Sequence, residues 1–268
     1  MLKYILREKK YIILIIGVLL ICSIAIAIAV YSQMSKQEPS YGKEPNEGID
    51  YEFLKMDFRN IFTNNIRQEK IIAIEGKNID YDNIISSKPF KQKKDLYDID
   101  VNIPVINIES NVAKQLNEAI KVKYIDKVFD IVENTKANTI YSISYVAYIN
   151  EDVLSLVIEE RLKELADKPQ RLIIQTINYD LKEDKLLSLE EIIKKKGLKN
   201  SEVQDKINAE IQISFEENVE GMYQVDPTQD IYKIENTGQF FIGKNGYIYI
   251  LYPYGNKNYT DRTDIIIL

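Results

Sequence analysis

Twenty-one consecutive residues, Tyr11 to Tyr31, carry Ser23 as their one clearly polar side chain. A helix needs about 20 apolar residues to cross a hydrocarbon core of ~30 Å, so this run predicts one transmembrane helix. The decapeptide before it holds Lys3, Arg7, Lys9 and Lys10 against Glu8, a local charge of +3. Positive flanks stay on the cytoplasmic side, which predicts a cytoplasmic stub at residues 1–10 and export of the rest. With -6 on the whole chain, the exported part then carries -9. The expectation is a single-pass protein of the cell membrane with an extracellular C-terminal region. A cleaved signal peptide, cut after Ala25-Ile26-Ala27 or Ala27-Ile28-Ala29, is the rival reading, although the apolar run continues past both sites. Lipidation of Cys22 fits poorly, because Ile21 stands where a small residue is wanted. Cys22 reads as a small apolar membrane residue.

Composition then removes whole classes of chemistry. The 268 residues include no His, one Cys and no Trp. Without His there is no Ser-His-Asp triad and no His-ligated zinc. One Cys excludes an intrachain disulfide and a CxxC site. Net acidity argues against nucleic acid, whose phosphates need clustered Lys and Arg.

Ser32 to Asp50 contains Pro39, Gly42, Pro45 and Gly48 with few apolar residues, a composition that predicts a flexible linker at 32–50. Residues 51–95 read as an N-terminal helix followed by a loop-rich segment. Leu54, Phe58, Ile61 and Phe62 have helical spacing within 52–66, a strand is expected at 71–75, and 79–94 is weakly patterned. From 96 to 268 the signals are stronger. Tyr97, Ile99, Val101 and Ile103 alternate with polar residues, and Pro104 confines that strand to an edge or an end. Ser110 can cap a long helix whose stripe is Val112, Leu116, Ile120, Tyr124, Val128 and Ile131. Strands at 141–149 and 153–160 form a hairpin around Asn150-Glu151-Asp152, and further strands are expected at 171–180 and 185–187. Ser188 with Glu191, and Ser201 with Gln204, are capping-box patterns opening two helices. Asn245-Gly246 between 240–242 and 247–252 signals a type I′ hairpin, and 265–268 is a last strand. Paired strands with helices between groups predict α+β: a curved antiparallel sheet with two main helices on one face.

Few constellations carry chemistry. Glu159-Glu160, Glu190-Glu191 and Glu216-Glu217 are adjacent carboxylates. Acid/base pairs must instead converge across a cleft at ~5–9.5 Å, so all three read as solvated surface charge. Asp80, Asp82 and Asn83 resemble the start of a calcium loop, but Ile84 and Ile85 stand where a ligand and Gly are required. Asp98 and Asp100 share a strand face and read as its polar side rather than a metal site. No Gly-rich phosphate loop and no nucleophile–base pair is present. The expectation is therefore no enzyme, with no catalytic residues, no metal and no cofactor. Nineteen Tyr residues remain, seven of them late in the chain. Tyr247 and Tyr249 share one strand face, and Tyr252 and Tyr254 share another. Exposed Tyr offers rigid amphipathic contact area, which makes these four the candidate binding residues. Strand propensity with rings in the core is the competing explanation.

Several segments resemble, in order, the RsiV/PdaC-like extracytoplasmic domain family. They are Asn102-Ile103-Pro104-Val105-Ile106-Asn107, Val153 to Val157, Asn178 to Leu181, Leu187 to Glu190, Gln239 to Gly243, and Tyr247 to Tyr254. The likeness spans Leu96 to Leu268. It implies a Gram-positive cell-surface domain of poorly known function, found in a lysozyme-sensing anti-sigma factor and ahead of the catalytic domain of a peptidoglycan deacetylase. This chain departs from both, with no sigma-binding segment and no deacetylase domain. What the resemblance implies is a non-catalytic ligand-binding or sensing domain at the cell wall. Its partner would be a basic wall-directed protein such as lysozyme, or a peptidoglycan fragment. The acidic exported region suits a basic partner. An accessory subunit docking on a membrane enzyme or transporter is the alternative.

Overall fold

A computed structural model describes Leu54, Phe58 and residues 61–62, 65–71, 83–165, 170–218, 225–254 and 262–268. The chain divides into two compact units, Met1–Ile49 and Asp50–Leu268, and every described residue belongs to the second. The expected membrane helix at 11–31 lies outside the described residues, as does nearly all of the linker at 32–50. Among those described, no helix is long and apolar enough to cross a membrane.

The domain is mixed α+β. Seven strands form the larger sheet: β1 (Asn65–Ile71), β2 (Ile85–Lys94), β3 (Tyr97–Ile106), β4 (Thr139–Glu151), β5 (Val153–Glu164), β6 (Arg171–Asp180) and β7 (Lys185–Leu186). Their order is β2-β3-β4-β5-β6-β7, with β1 also on β4. The expected all-antiparallel sheet is corrected here. β4 pairs in parallel with β3 from Tyr97↔Thr139 to Val101↔Ile143, and in parallel with β1 from Asn65↔Val146 onward. The two strands share one lane along β4, and β3 leaves it just before Pro104. That residue therefore keeps its β2 pairing, opposite Ser87, with no β4 neighbour to need its missing N–H. A parallel pair requires a crossover of a dozen residues or more, which the long helix between β3 and β4 supplies.

That helix runs as α1 (Asn111–Ile120), a π-helical stretch Lys121–Ile125, and α2 (Asp126–Asn134). The Ser110 side chain accepts from the Ala113 N–H and caps it as expected. The apolar stripe advances by four residues at each step from Val112 to Val128. In a regular α-helix each such step overshoots a full turn by about 40°, so the stripe would drift off the sheet. The wider π turn absorbs the excess, and Ile120, Tyr124, Val128 and Ile131 all stay buried.

The opposite face of the large sheet meets a second, three-stranded sheet of β8 (Phe240–Ile242), β9 (Ile248–Tyr254) and β10 (Arg262–Ile267), ordered β10-β9-β8. Phe241, Leu251 and half-buried Tyr249 point toward Val146, Tyr148 and Val157 of the large sheet. Ile248, Ile250 and Tyr252 point the other way, onto α3 (Leu189–Lys195) and α4 (Asn200–Glu216). The two main helices thus belong to separate cores on opposite sides, not to one face as expected.

Local signals explain which elements were foreseen. Ser188 and Glu191 form the full capping box of α3, which ends at Lys196 before Gly197 at φ 69°. The second capping box is absent: Lys199 is the N-cap of α4 without a side-chain bond. Gln204 instead bridges to Tyr232 O and the Ile234 N–H, clamping the segment before β8. The β8–β9 turn is not type I′. Only Gly246 takes a left-handed φ, 76°, and its N–H bonds Gly243 O, as in a type I turn closed by a Gly bulge. Residues 85–94, read as loop, form strand β2, and most of the helix expected over 52–66 lies outside the described residues, its last two positions, Asn65 and Ile66, belonging to β1. Of the strand expected at 71–75, only Ile71 is described, as the last residue of β1.

Candidate binding cleft

The π-helical stretch presents two neighbouring side chains to β6. Tyr124, buried, donates its hydroxyl to Gln175 Oε1 at 2.9 Å, and Lys123 Nζ donates to the same oxygen at 2.6 Å. The Lys123 ammonium also sits 5.2 Å from the centroid of the Tyr124 ring. Among the described residues Lys123 has no carboxylate partner.

Deeper under the helix lies Glu160, only 7% exposed, with its neighbour Glu159 at 5%. This corrects the reading of that pair as solvated. The residues do point apart. Glu159 accepts from Arg161 Nε at 2.7 Å on one face, while Glu160 faces Tyr141 and Tyr124 on the other. The Tyr141 hydroxyl lies beside Glu160 without a well-aligned hydrogen bond. Burial, then the Glu160 charge, hold both phenols far above their ordinary range. Both phenols are therefore neutral near neutral pH. The other pairs are ordinary: Glu190 and Glu216 are exposed, and Glu191 serves the α3 cap.

Beside this contact the helix, the rim of β6 and the segment before β8 enclose a cleft of about 250 Å³. Leu116, Ile120, Ile177, Leu187 and Phe240 give it apolar walls, and Lys123 is its one charged lining residue. A polar clasp builds the far wall. Gln239 Oε1 accepts the Thr176 backbone N–H at 2.8 Å, in the place a neighbouring strand's carbonyl would take. Asn178 Nδ2 donates to Phe240 O, Ser155 Oγ accepts the Ile242 N–H, and Asn150 Nδ2 donates to Gly243 O. Side chains of the large sheet thereby satisfy the free edge of β8, a demand buried backbone groups impose. At the top of β6, Asp180 accepts the backbone N–H groups of Lys182 and Glu183 and pairs with Lys195, which also holds Asp152. Burial alone would raise the Asp180 pKa, but those donors outweigh it and hold the carboxyl below its ordinary value.

The three Tyr candidates with described side chains do not form one surface. Tyr247 is half-buried beside the turn. Tyr249 is half-buried, stacked on Phe241 at 4.6 Å and laid over Gly243, where an added Cβ would come within 2.4 Å of its ring. Tyr252 is a core residue: its hydroxyl shares a buried hydrogen bond with Thr237 and its ring packs edge-on to Tyr232. Burial pushes its phenol up to about 12. Tyr254 lies in β9, but its side chain is outside the described residues. For Tyr252 the strand-propensity reading holds, and for Tyr249 most of the ring is engaged internally. Asp98 and Asp100 pair with Lys93 and Lys91 across the β2–β3 ladder. Asp80 and Asp82 lie outside the described residues. Among those described no cluster of acidic or Cys side chains could hold a metal.

Sequence reasoning missed Lys123, Gln175 and Gln239. Each is a single polar residue in a patterned segment, and only the packing of segments more than 50 residues apart brings them together. No family model matches the chain, and no curated protein matches it. Among solved structures it is similar to a DUF3298 family protein of Pseudomonas aeruginosa, at 9% identity over 68% of this chain and 88% of that one, with a TM-score of 0.46.

Proposed function

We propose that this chain is a membrane-anchored, extracytoplasmic, non-catalytic domain that binds or senses a ligand at the cell wall. The observation that carries the reading is the cleft beside β6: apolar walls and one cation with no ion-pair contact to a described carboxylate. Such a site favours a ligand with an apolar body and a carboxylate. A peptidoglycan fragment, whose peptide stems bear carboxylates, fits this better than a lysozyme-like protein. The acidity of the exported region still suits the basic protein as a second ligand. The apolar run at 11–31 and its positive flank support the anchored placement.

The test is direct. The full chain in detergent micelles is titrated with soluble peptidoglycan fragments and with lysozyme, at low and physiological salt. Saturable binding of wall fragments, weakened by Lys123→Met, is expected. If neither ligand binds, the reading fails. An accessory-subunit role would then stand, supported by exposed Val122 and Phe129, seven residues apart on the outer helix surface.

A further inference from the structure

The rim of β6 shows which form of ligand the cleft accepts. β6 pairs with β5 along its whole length on one side, from Val153↔Asp180 to Leu162↔Arg171. On the other side its later half is occupied. β7 pairs at Tyr179 and Asp180, the Leu187 N–H bonds Asn178 O, and Gln239 takes the Thr176 N–H. Its earlier half pairs with nothing among the described residues on that side. In an antiparallel ladder outward-facing backbone groups recur at every second residue. With Thr176 and Asn178 facing out, the amide and carbonyl groups of Ile174 and Leu172 face out too. Natural sheets guard such an edge with charge, Pro or cover. Here the unpaired stretch reads Arg171-Leu172-Ile173-Ile174-Gln175, with one charge at its start, an Ile173 39% exposed, a half-buried Leu172 and the Ile174 side chain buried in the core between the sheets. The lane beside it leads to the cleft, where Lys123 waits at an otherwise uncharged lining.

We propose that this edge binds an extended, carboxylate-bearing peptide by strand addition. The peptide backbone pairs with Leu172 and Ile174, an apolar side chain enters the cleft, and a carboxylate meets Lys123. Backbone bonds supply the affinity and the cleft supplies side-chain choice. The charge sets the ligand class: an unneutralised cation over an apolar pocket selects an acidic peptide over a basic one. This rests on the reading of the cleft as a ligand site and goes beyond it in naming backbone pairing.

The experiment uses the full chain in detergent micelles and fluorescence anisotropy of a labelled, acetylated peptide that alternates Val and Thr around one Glu. Two N-methylated versions block alternate amides in one register or the other. Strand addition predicts that one set weakens binding by about tenfold while the other leaves it unchanged. Changing the peptide's Glu to Gln is expected to cost about fivefold with the native chain and to lose its effect with Lys123→Met. Leu172→Pro, which removes an outward N–H, is expected to abolish binding with an unchanged circular dichroism spectrum. Should that variant fail to fold, the N-methylated peptides still decide. Equal binding by both N-methylated sets, with the Glu preference intact, overturns strand addition and leaves the carboxylate cleft standing. No binding of the peptide or of free acetyl-glutamate overturns both.

Discussion

The large sheet ends in two edges that solve the same problem differently. At β2 the edge is defended by its own sequence. Lys88, Lys91, Lys93 and Lys94 line it, Pro89 interrupts it, and two of the lysines are held in ion pairs to β3. At β6 the later half is covered by other parts of the chain, and the earlier half is apolar and has no strand partner among the described residues. Charge on an edge strand repels any incoming strand, whereas a cover of Gln239 and β7 blocks only what it touches. The contrast teaches that one sheet can guard one edge by charge along its whole length and another by local cover of part of it.

That comparison can be broken, most forcefully at the covered end of β6. Asp180→Ala leaves Lys195 half-paired and two turn N–H groups without their acceptor. It is expected to cost about 3 kcal/mol, read by urea denaturation. Because the native carboxyl is depressed, its contribution is complete above the unfolded-state pKa and is lost as pH falls through the folded-state value. The variant should therefore be less acid-sensitive than the native chain as pH falls below about 4. Next in size, Asn178→Ala strips a buried donor from Phe240 O and a partner from Ser155. A cost of about 1–3 kcal/mol is expected, non-additive with Ser155→Ala in a double-mutant cycle. Tyr124→Phe removes one hydroxyl bond to Gln175 and should lower stability by about 1 kcal/mol in thermal melts. The smallest change in stability, within about 1 kcal/mol, is expected for Lys91→Val with Lys93→Val, since those pairs are exposed. That double variant should nevertheless self-associate more than the native chain in analytical ultracentrifugation, because it removes two of the four lysines and both ion pairs from the guarded edge.

How legible this was depended on whether a signal was local. The β4–β5 hairpin, the bounds of β6 and the Ser110 and Ser188 caps rest on alternation and capping within a few residues. β2 was unreadable because nearly all of it is exposed, so its sequence reports edge defence instead of a buried face. Parallel pairing of β3 with β4 is set by the crossover, and nothing within either strand records it. Glu160 could not be placed because burial of a carboxylate follows from two distant tyrosines. The cleft was invisible for the same reason: helix, β6 and Gln239 meet only in the folded chain.

The π-helical stretch at Lys121–Ile125 carries one more consequence. It acts as a phase corrector between two halves of a helix, and phase is a property of residue count, not of residue type. A π turn holds one residue more than an α turn, so deleting a single residue there would leave a regular α-helix with the downstream phase kept, whereas inserting a residue, or forcing these positions into α geometry at unchanged length, would rotate everything beyond by about 100°. After such a rotation Val128 and Ile131 would swing out of the core. In this chain the most conspicuous constraint on inheritance over these five positions is therefore the match between their number and the turn they form, and insertions there are the changes that natural variation should avoid.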